Sequence, residues 1–211
     1  MFLHLTLLAA LLATSPGPAD LQPIGPGLFQ IGLVTIDANT RSITIPVEVN
    51  MNQGPVEYLL VADGGKLHES ILRTAAQPLH LHLAMILLGF PEKPLPPPQP
   101  PPGQRPGLFG VPIEITVRFP NTDPLPASNL IHKTEGLPFH GQPWIYNGSR
   151  LQGDLFLAQA NRSIIALMED FDALVNTRDI DRINDKIWRP HPTTVPPLGT
   201  AAELTLHFPQ P

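Results

Sequence analysis

Apolar and polar residues alternate along three stretches of the chain, residues 42–50, 111–119 and 202–208. In each stretch Ile, Val, Leu, Ala or Phe takes every second position, and mostly polar residues fill the positions between them. A β-strand turns successive side chains to opposite faces, so a period of two places the apolar set on one face. The pattern therefore predicts three half-buried strands.

Glycine and asparagine turns separate further segments rich in β-branched residues. The turn Asp63-Gly64-Gly65 stands between two of them and predicts a β-hairpin, because two glycines accept positive φ. Asn161-Arg162 is predicted to join a second hairpin, and Asn147-Gly148 is a strong turn signal. The other predicted strands are residues 28–37, 56–62, 66–73, 144–146, 156–160 and 163–167.

Residues 78–88 follow a different pattern, because their apolar residues recur at helical spacing. Pro78 suits the first turn of a helix and Gly89 suits its end. The segment is apolar nearly all round, which is typical of a helix packed centrally against a sheet. A second short helix is predicted from Ile180 to Ile187. We therefore predict an α+β fold, a mainly antiparallel β-sheet with one central packed helix and a proline-rich surface loop.

That loop is residues 91–106, where nine of sixteen positions are proline. Such a composition favours extended polyproline II structure and cannot form core. It is typical of a stiff spacer on the surface, and the alternative is a ligand for an aromatic groove on a partner.

The N-terminal residues predict export. Residues 2–13 are almost wholly apolar, and residues 14–19 combine small residues with helix breakers, which suits a signal peptide, 1–19, cleaved after Ala19. We expect residues 20–27 to be a linker and residues 28–211 to be one domain. No later stretch is long and apolar enough to span a membrane. The expected location is periplasmic or secreted.

Composition excludes several classes of function. Thirteen basic residues stand against eighteen acidic ones, giving a net charge of −5, and the lysines do not cluster. Nucleic-acid partners are therefore not expected. Cysteine is absent, which excludes disulfides, iron–sulfur clusters, thiolate zinc sites and cysteine nucleophiles.

Candidate metal ligands are His68, Glu69, His80 and His82, since imidazole and carboxylate groups bind zinc or copper. On the predicted helix, His80 and His82 point about 200° apart and cannot share one ion. The hypothesis therefore uses His68 and Glu69 with one of the two, and a divalent transition metal as cofactor. The alternative is that these histidines are structural.

Trp144 and Tyr146 lie two residues apart and are candidates for stacking on a ligand ring, the alternative being packing in the core. No complete catalytic motif is present. Ser70 and Ser149 lack the nucleophile elbow, and the acidic residues near Asp179 do not match a calcium loop. The sequence therefore favours a protein that is not an enzyme.

Several segments together resemble the YdjY-like domain family of exported bacterial proteins. The resemblance extends over residues 31–208, and residues 57–89 are its most specific part. The proline-rich tract departs from the shorter loop expected after the helix, which indicates an insertion. The segments are Val49-Asn50-Met51, Glu57-Tyr58-Leu59-Leu60, Gly65-Lys66-Leu67-His68-Glu69-Ser70, Leu87-Leu88-Gly89, Trp144-Ile145-Tyr146-Asn147-Gly148-Ser149 and Pro197-Leu198-Gly199-Thr200.

This resemblance implies export and a single domain, and it supplies no catalytic residues. The function predicted from the sequence is a non-enzymatic envelope module that binds a protein or a small ligand. The alternative is a metal-binding protein or metal-dependent enzyme that uses His68, Glu69 and either His80 or His82.

Overall fold

The computed structural model describes residues 20–91, 108–134, 139 and 144–208. The predicted signal peptide, and the proline-rich tract beyond Pro91, lie outside these residues. In chain order the strands are β1 (Gln22–Gly25), β2 (Leu28–Ile31), β3 (Val34–Asp37), β4 (Ser42–Val49), β5 (Tyr58–Ala62), β6 (Ser70–Thr74), β7 (Val111–Arg118), β8 (Leu125–Pro126), β9 (Ile131–Lys133), β10 (Trp144–Tyr146), β11 (Leu151–Gln152), β12 (Leu155–Phe156), β13 (Ser163–Ala166), β14 (Val175–Asn176), β15 (Trp188–Pro190) and β16 (Ala201–His207).

Eight of these strands form a closed β-barrel. The strand order is β4-β16-β7-β10-β14-β13-β5-β6, and β6 pairs back with β4 through Glu48↔Arg73 and Val49↔Leu72. Neighbours are antiparallel except for the parallel pairs β13–β14 and β5–β6. β1, β2 and β3 extend the sheet from the first half of β4. β4 therefore changes its partner along its length, from β3 to β6, on either side of Pro46.

The hydrophobic core fills the barrel interior. Apolar residues at every second strand position point into it. Ile43, Ile45, Val47 and Val49 of β4 are buried, whereas Thr44, Pro46 and Glu48 between them are partly or fully exposed. β7 and β16 repeat this alternation, so the three strands predicted from alternation are confirmed to within one or two residues at their ends. Alternate side chains from all sides of a small barrel fill its interior.

Two α-helices occur among the described residues, α1 (Pro78–Leu87) and α2 (Leu157–Asn161). α1 begins at Pro78 as predicted, and Gly89 at φ 92° follows its end and donates its N–H to the Ile86 carbonyl. In this part of the chain no helix is long and apolar enough to cross a membrane.

The predicted fold class is wrong in its architecture. α1 follows the C-terminal end of β6, and its buried His82 meets Tyr146 at the end of β10, so the helix lies at one end of the barrel. A sheet that closes on itself fills its own interior and leaves no broad apolar face for a central helix. In the part of the chain that the structure describes, the fold is therefore a mostly β closed barrel with extra strands and two short helices.

Three local predictions are also wrong. A 3₁₀ turn at Leu67–Glu69 follows the glycine turn, so β6 runs parallel to β5 and the two form no hairpin. Residues 157–161 form α2 where a strand was predicted, and Arg162, at φ 61°, ends that helix before β13. The predicted helix from Ile180 to Ile187 is a series of turns that leaves Ile180 and Ile183 exposed.

Candidate functional site

The four predicted metal ligands are distributed over both ends of β6. His68 and Glu69 precede this strand, with His68 Nε2 at 3.7 Å from Glu69 Oε2. His80 and His82 lie on α1, which follows it. The five residues of β6, which extend over about 16 Å at about 3.3 Å each, lie between the two pairs along the chain. Within the described residues, no three His, Asp or Glu side chains are grouped so that they could hold one ion. Metal binding at this set stays a prediction.

His82 is part of the buried interior. Its Nδ1 lies 2.9 Å from the Tyr146 hydroxyl, and its ring centre lies 4.7 Å from that of Phe156. Burial raises the pKa of Tyr146 above its ordinary value. His80, in contrast, is half-buried against Gly32, and burial lowers its pKa.

Trp144 and Tyr146, the predicted ligand-stacking pair, both pack in the core. Trp144 is fully buried beside Phe139, and Tyr146 meets the edge of Phe90 at 5.4 Å between ring centres. A ligand would have to enter the barrel interior to stack on either ring. Ligand binding there stays a prediction.

A hydrogen-bonded cluster around Tyr58 was missed by the sequence reasoning. The Tyr58 hydroxyl donates to Asp170 Oδ2 at 2.8 Å and accepts from Lys66 Nζ at 2.8 Å. Lys66 also lies 3.5 Å from Glu69 Oε1. Burial, assisted by the charge of Asp170, raises the pKa of Tyr58 to about 12. The hydroxyl therefore keeps its proton at neutral pH and joins two segments of the chain.

Glu57 lies beside this cluster, and its carboxyl group has a raised pKa. Burial, and secondarily the charge of Glu69, raises the pKa of Glu57. The sequence signal for the whole cluster was the turn at Gly64 and Gly65, which places Lys66 over the Tyr58 ring at 4.8 Å. What the sequence could not indicate was Asp170, which comes from a distant loop.

Two cavities on the outer face of the barrel share Ala201, and we call them together the Ala201 cleft. The first has a volume of about 470 Å³ and is lined by residues 118–122 and 201–203. The second, of about 280 Å³, is lined by residues 46–48, 63 and 73–75. In the strand register Ala201 pairs with Glu48, and Glu203 pairs with both Pro46 and Arg118. The small side chain of Ala201 leaves open space between its larger neighbours.

Each cavity of the Ala201 cleft has one arginine that is paired with one or two carboxylates. At the first cavity Arg118 forms an ion pair with Glu203. Arg73 lies 2.9 Å from Glu48 and 3.8 Å from Asp63 at the second. All five side chains are between 39% and 56% exposed, so both signs of charge are accessible to solvent. The cleft can therefore form ion pairs with a ligand that carries acidic and basic groups together.

The molecule is thus a closed β-barrel domain with an open, mixed-charge cleft on its outer face. The family profile described as the YdjY domain matches residues 34–207, which is most of the chain. The protein therefore belongs to the YdjY domain family, and the resemblance predicted from its sequence is confirmed. No curated protein and no solved structure matches the chain.

Proposed function

We propose that the protein is a non-enzymatic binding module of the bacterial cell envelope, and that the Ala201 cleft is its ligand-binding surface. The observation that carries this proposal is the cleft itself, with cavities of about 470 and 280 Å³ that meet at Ala201. Ligand sites in proteins commonly have volumes of about 300–1,000 Å³.

The charges at the cleft define the class of ligand. Two guanidinium groups and three carboxylates lie there, and each guanidinium is already paired. A ligand with a single charge would meet repulsion from one member of each pair, whereas a ligand with both charges can pair with both members. A short peptide segment that combines acidic and basic side chains is the ligand we propose.

Export is the second part of the proposal. It is supported by the apolar residues 2–13 and the small residues that follow them. N-terminal sequencing of the protein from a periplasmic fraction is expected to begin at Asp20. Recovery of the uncleaved chain from the cytoplasm would contradict this part alone.

The binding experiment uses protein-detected NMR with a library of short peptides that combine Lys or Arg with Asp or Glu. We expect binders to shift the amide resonances of Ala201 and Glu203. Ala201→Trp fills the cleft and should weaken binding at least tenfold. Ala160→Trp is the matched control, because Ala160 is also an exposed alanine and lies on α2, away from the cleft.

Two results would contradict the proposed site. One is a set of peptides that binds Ala201→Trp as tightly as the unmodified protein. The other is a library in which no peptide shifts the cleft resonances. Far-ultraviolet circular dichroism of both tryptophan variants checks that the barrel is intact.

A further inference from the structure

Two histidines that are distant in sequence meet on one face of the small sheet formed by β9 and β15. In this antiparallel pair His132 stands opposite Arg189, and His191 follows two residues later. A residue and the diagonal neighbour of its partner lie on the same face of an antiparallel sheet. The ring centres of His132 and His191 are 5.9 Å apart, and their planes are at 82° to each other.

In both rings the Nδ1 atom already has a hydrogen-bond partner. His132 Nδ1 lies 3.0 Å from the Pro190 carbonyl oxygen, and His191 Nδ1 lies 2.9 Å from Thr194 Oγ1. A carbonyl oxygen only accepts, so His132 Nδ1 must donate, and in the neutral ring the lone pair is then on Nε2. The Thr194 hydroxyl can accept from His191 in the same way. Such a bond to Nδ1 is the usual support of a metal-binding histidine.

The separation of the rings matches two imidazoles on one ion. A metal–nitrogen bond of about 2.0–2.1 Å places the ion about 3.2 Å from each ring centre. Two ring centres are then about 5.2 Å apart at a tetrahedral angle and about 6.4 Å apart when the ligands are opposite each other. The observed 5.9 Å lies between these limits.

The cationic side chains on the same strands are directed elsewhere. Arg189 shares the face of the histidines, but its Nη1 donates to the carbonyls of Lys186 and Trp188. Lys133 is buried and pairs with Asp179. Among the described residues, neither the Arg189 nor the Lys133 side chain is hydrogen-bonded to the two imidazoles.

We propose that His132 and His191 form a two-histidine site for a divalent transition metal, with Cu²⁺ as the ion it binds most tightly. Imidazole nitrogen suits Cu²⁺, Ni²⁺ and Zn²⁺, and Cu²⁺ has the highest intrinsic affinity of the three. Water completes the coordination. The site differs from the set of His68, Glu69, His80 and His82 predicted from the sequence, and it does not depend on the proposed function of the Ala201 cleft.

The first test is isothermal titration of the untagged full chain with Cu²⁺ at neutral pH. We expect His132→Ala and His191→Ala each to weaken Cu²⁺ binding at least tenfold. His207→Ala is the matched control and should bind as the unmodified protein does, because His207 lies on β16, outside the small sheet, and its Nε2 lies 2.8 Å from Thr116 Oγ1. Unchanged affinity in either variant of the pair, or loss of binding in His207→Ala, would overturn the proposal.

A second test needs no variant and therefore does not depend on whether a substitution folds. Zn²⁺ is added to the ¹⁵N-labelled full chain, and the imidazole resonances are followed by long-range ¹H–¹⁵N correlation. We expect the Nε2 signals of His132 and His191 to move together at one equivalent of Zn²⁺. Movement of other histidine signals instead, or of none, would refute the site.

Discussion

Lys133 and Asp179 form an ion pair in which both side chains are fully buried. Lys133 Nζ lies 2.6 Å from Asp179 Oδ1 and 2.8 Å from Asp181 Oδ2, and the Asp181 side chain is 38% exposed. Replacing Lys133 by Met keeps an unbranched apolar chain near the Trp188 ring, which lies 5.3 Å from Nζ, and removes the charge together with the hydrogen bonds that Nζ donates. The substitution then removes the positive charge that Lys133 holds against the buried Asp179 carboxylate.

Removing one partner of a buried ion pair costs about 3–5 kcal/mol. Two features place Lys133→Met near the lower limit. The Asp181 carboxylate can be hydrated, and the Asp181 N–H still donates to Asp179 Oδ1 at 2.9 Å. We therefore expect a loss of about 3 kcal/mol in the free energy of unfolding, and a fall in melting temperature of about 6–12 °C for a domain of this size.

The assay is equilibrium unfolding in urea followed by tryptophan fluorescence, with Trp144 and Trp188 as the probes. Arg150→Met is the surface control, because the Arg150 side chain in the Arg150–Asp172 pair is 60% exposed. Its loss should be below about 1 kcal/mol. Lys133→Met combined with Asp179→Asn should recover at least half of the loss, since both charges of the buried pair are then removed. If Lys133→Met cost no more than Arg150→Met, the reasoning would be refuted.

Two further predictions concern alkaline pH and the end of α1. Tyr58, with its pKa raised to about 12 from 10.0, holds its proton more tightly in the folded state, so stability should be full below pH 10 and fall as the pH rises through about 12. Circular dichroism at increasing pH should show this loss of stability. In Tyr58→Phe the loss should be less steep with pH. If the steepness is unchanged, other groups cause the loss. Gly89→Ala should lower the free energy of unfolding by about 1 kcal/mol, because φ is 92° there and no neighbouring atom meets the added methyl group. Urea unfolding measures this change, and a neutral result would contradict it.

The elements with a strong local pattern could be predicted from the sequence. β4, β7 and β16 follow from apolar residues at every second position, and α1 follows from helical spacing between Pro78 and Gly89. Each of these signals depends only on neighbours along the chain. Local periodicity alone was therefore enough to locate them.

The closed barrel could not be predicted, because it depends on pairing between separate segments. The pairing that closes it involves only Glu48 and Val49 of β4, and no local pattern marks these two residues. The glycine turn at Gly64 and Gly65 indicated a reversal of the chain. It did not indicate the 3₁₀ turn after it, which brings β6 parallel to β5.

The candidate sites escaped prediction for the same reason. The Ala201 cleft is lined by residues from β4, β6, β7 and β16, and its space results from a small residue among larger neighbours. His132 and His191 meet only because β9 pairs with β15. His68, His80 and His82 are close together in the chain, and proximity along the chain is the only proximity that a sequence shows.

The position of β16 between β4 and β7 has a consequence for the order of folding. The bond between Thr44 Oγ1 and Thr205 Oγ1 joins residues 161 positions apart. During synthesis β4 and β7 are made long before the strand that lies between them, so the barrel cannot close until residues 201–207 are available. Pairing over such sequence distances is intrinsically slow, because loop-closure entropy is lost before the contacts form. The barrel therefore stays open until β16 has been made, and its closure follows the synthesis of that strand.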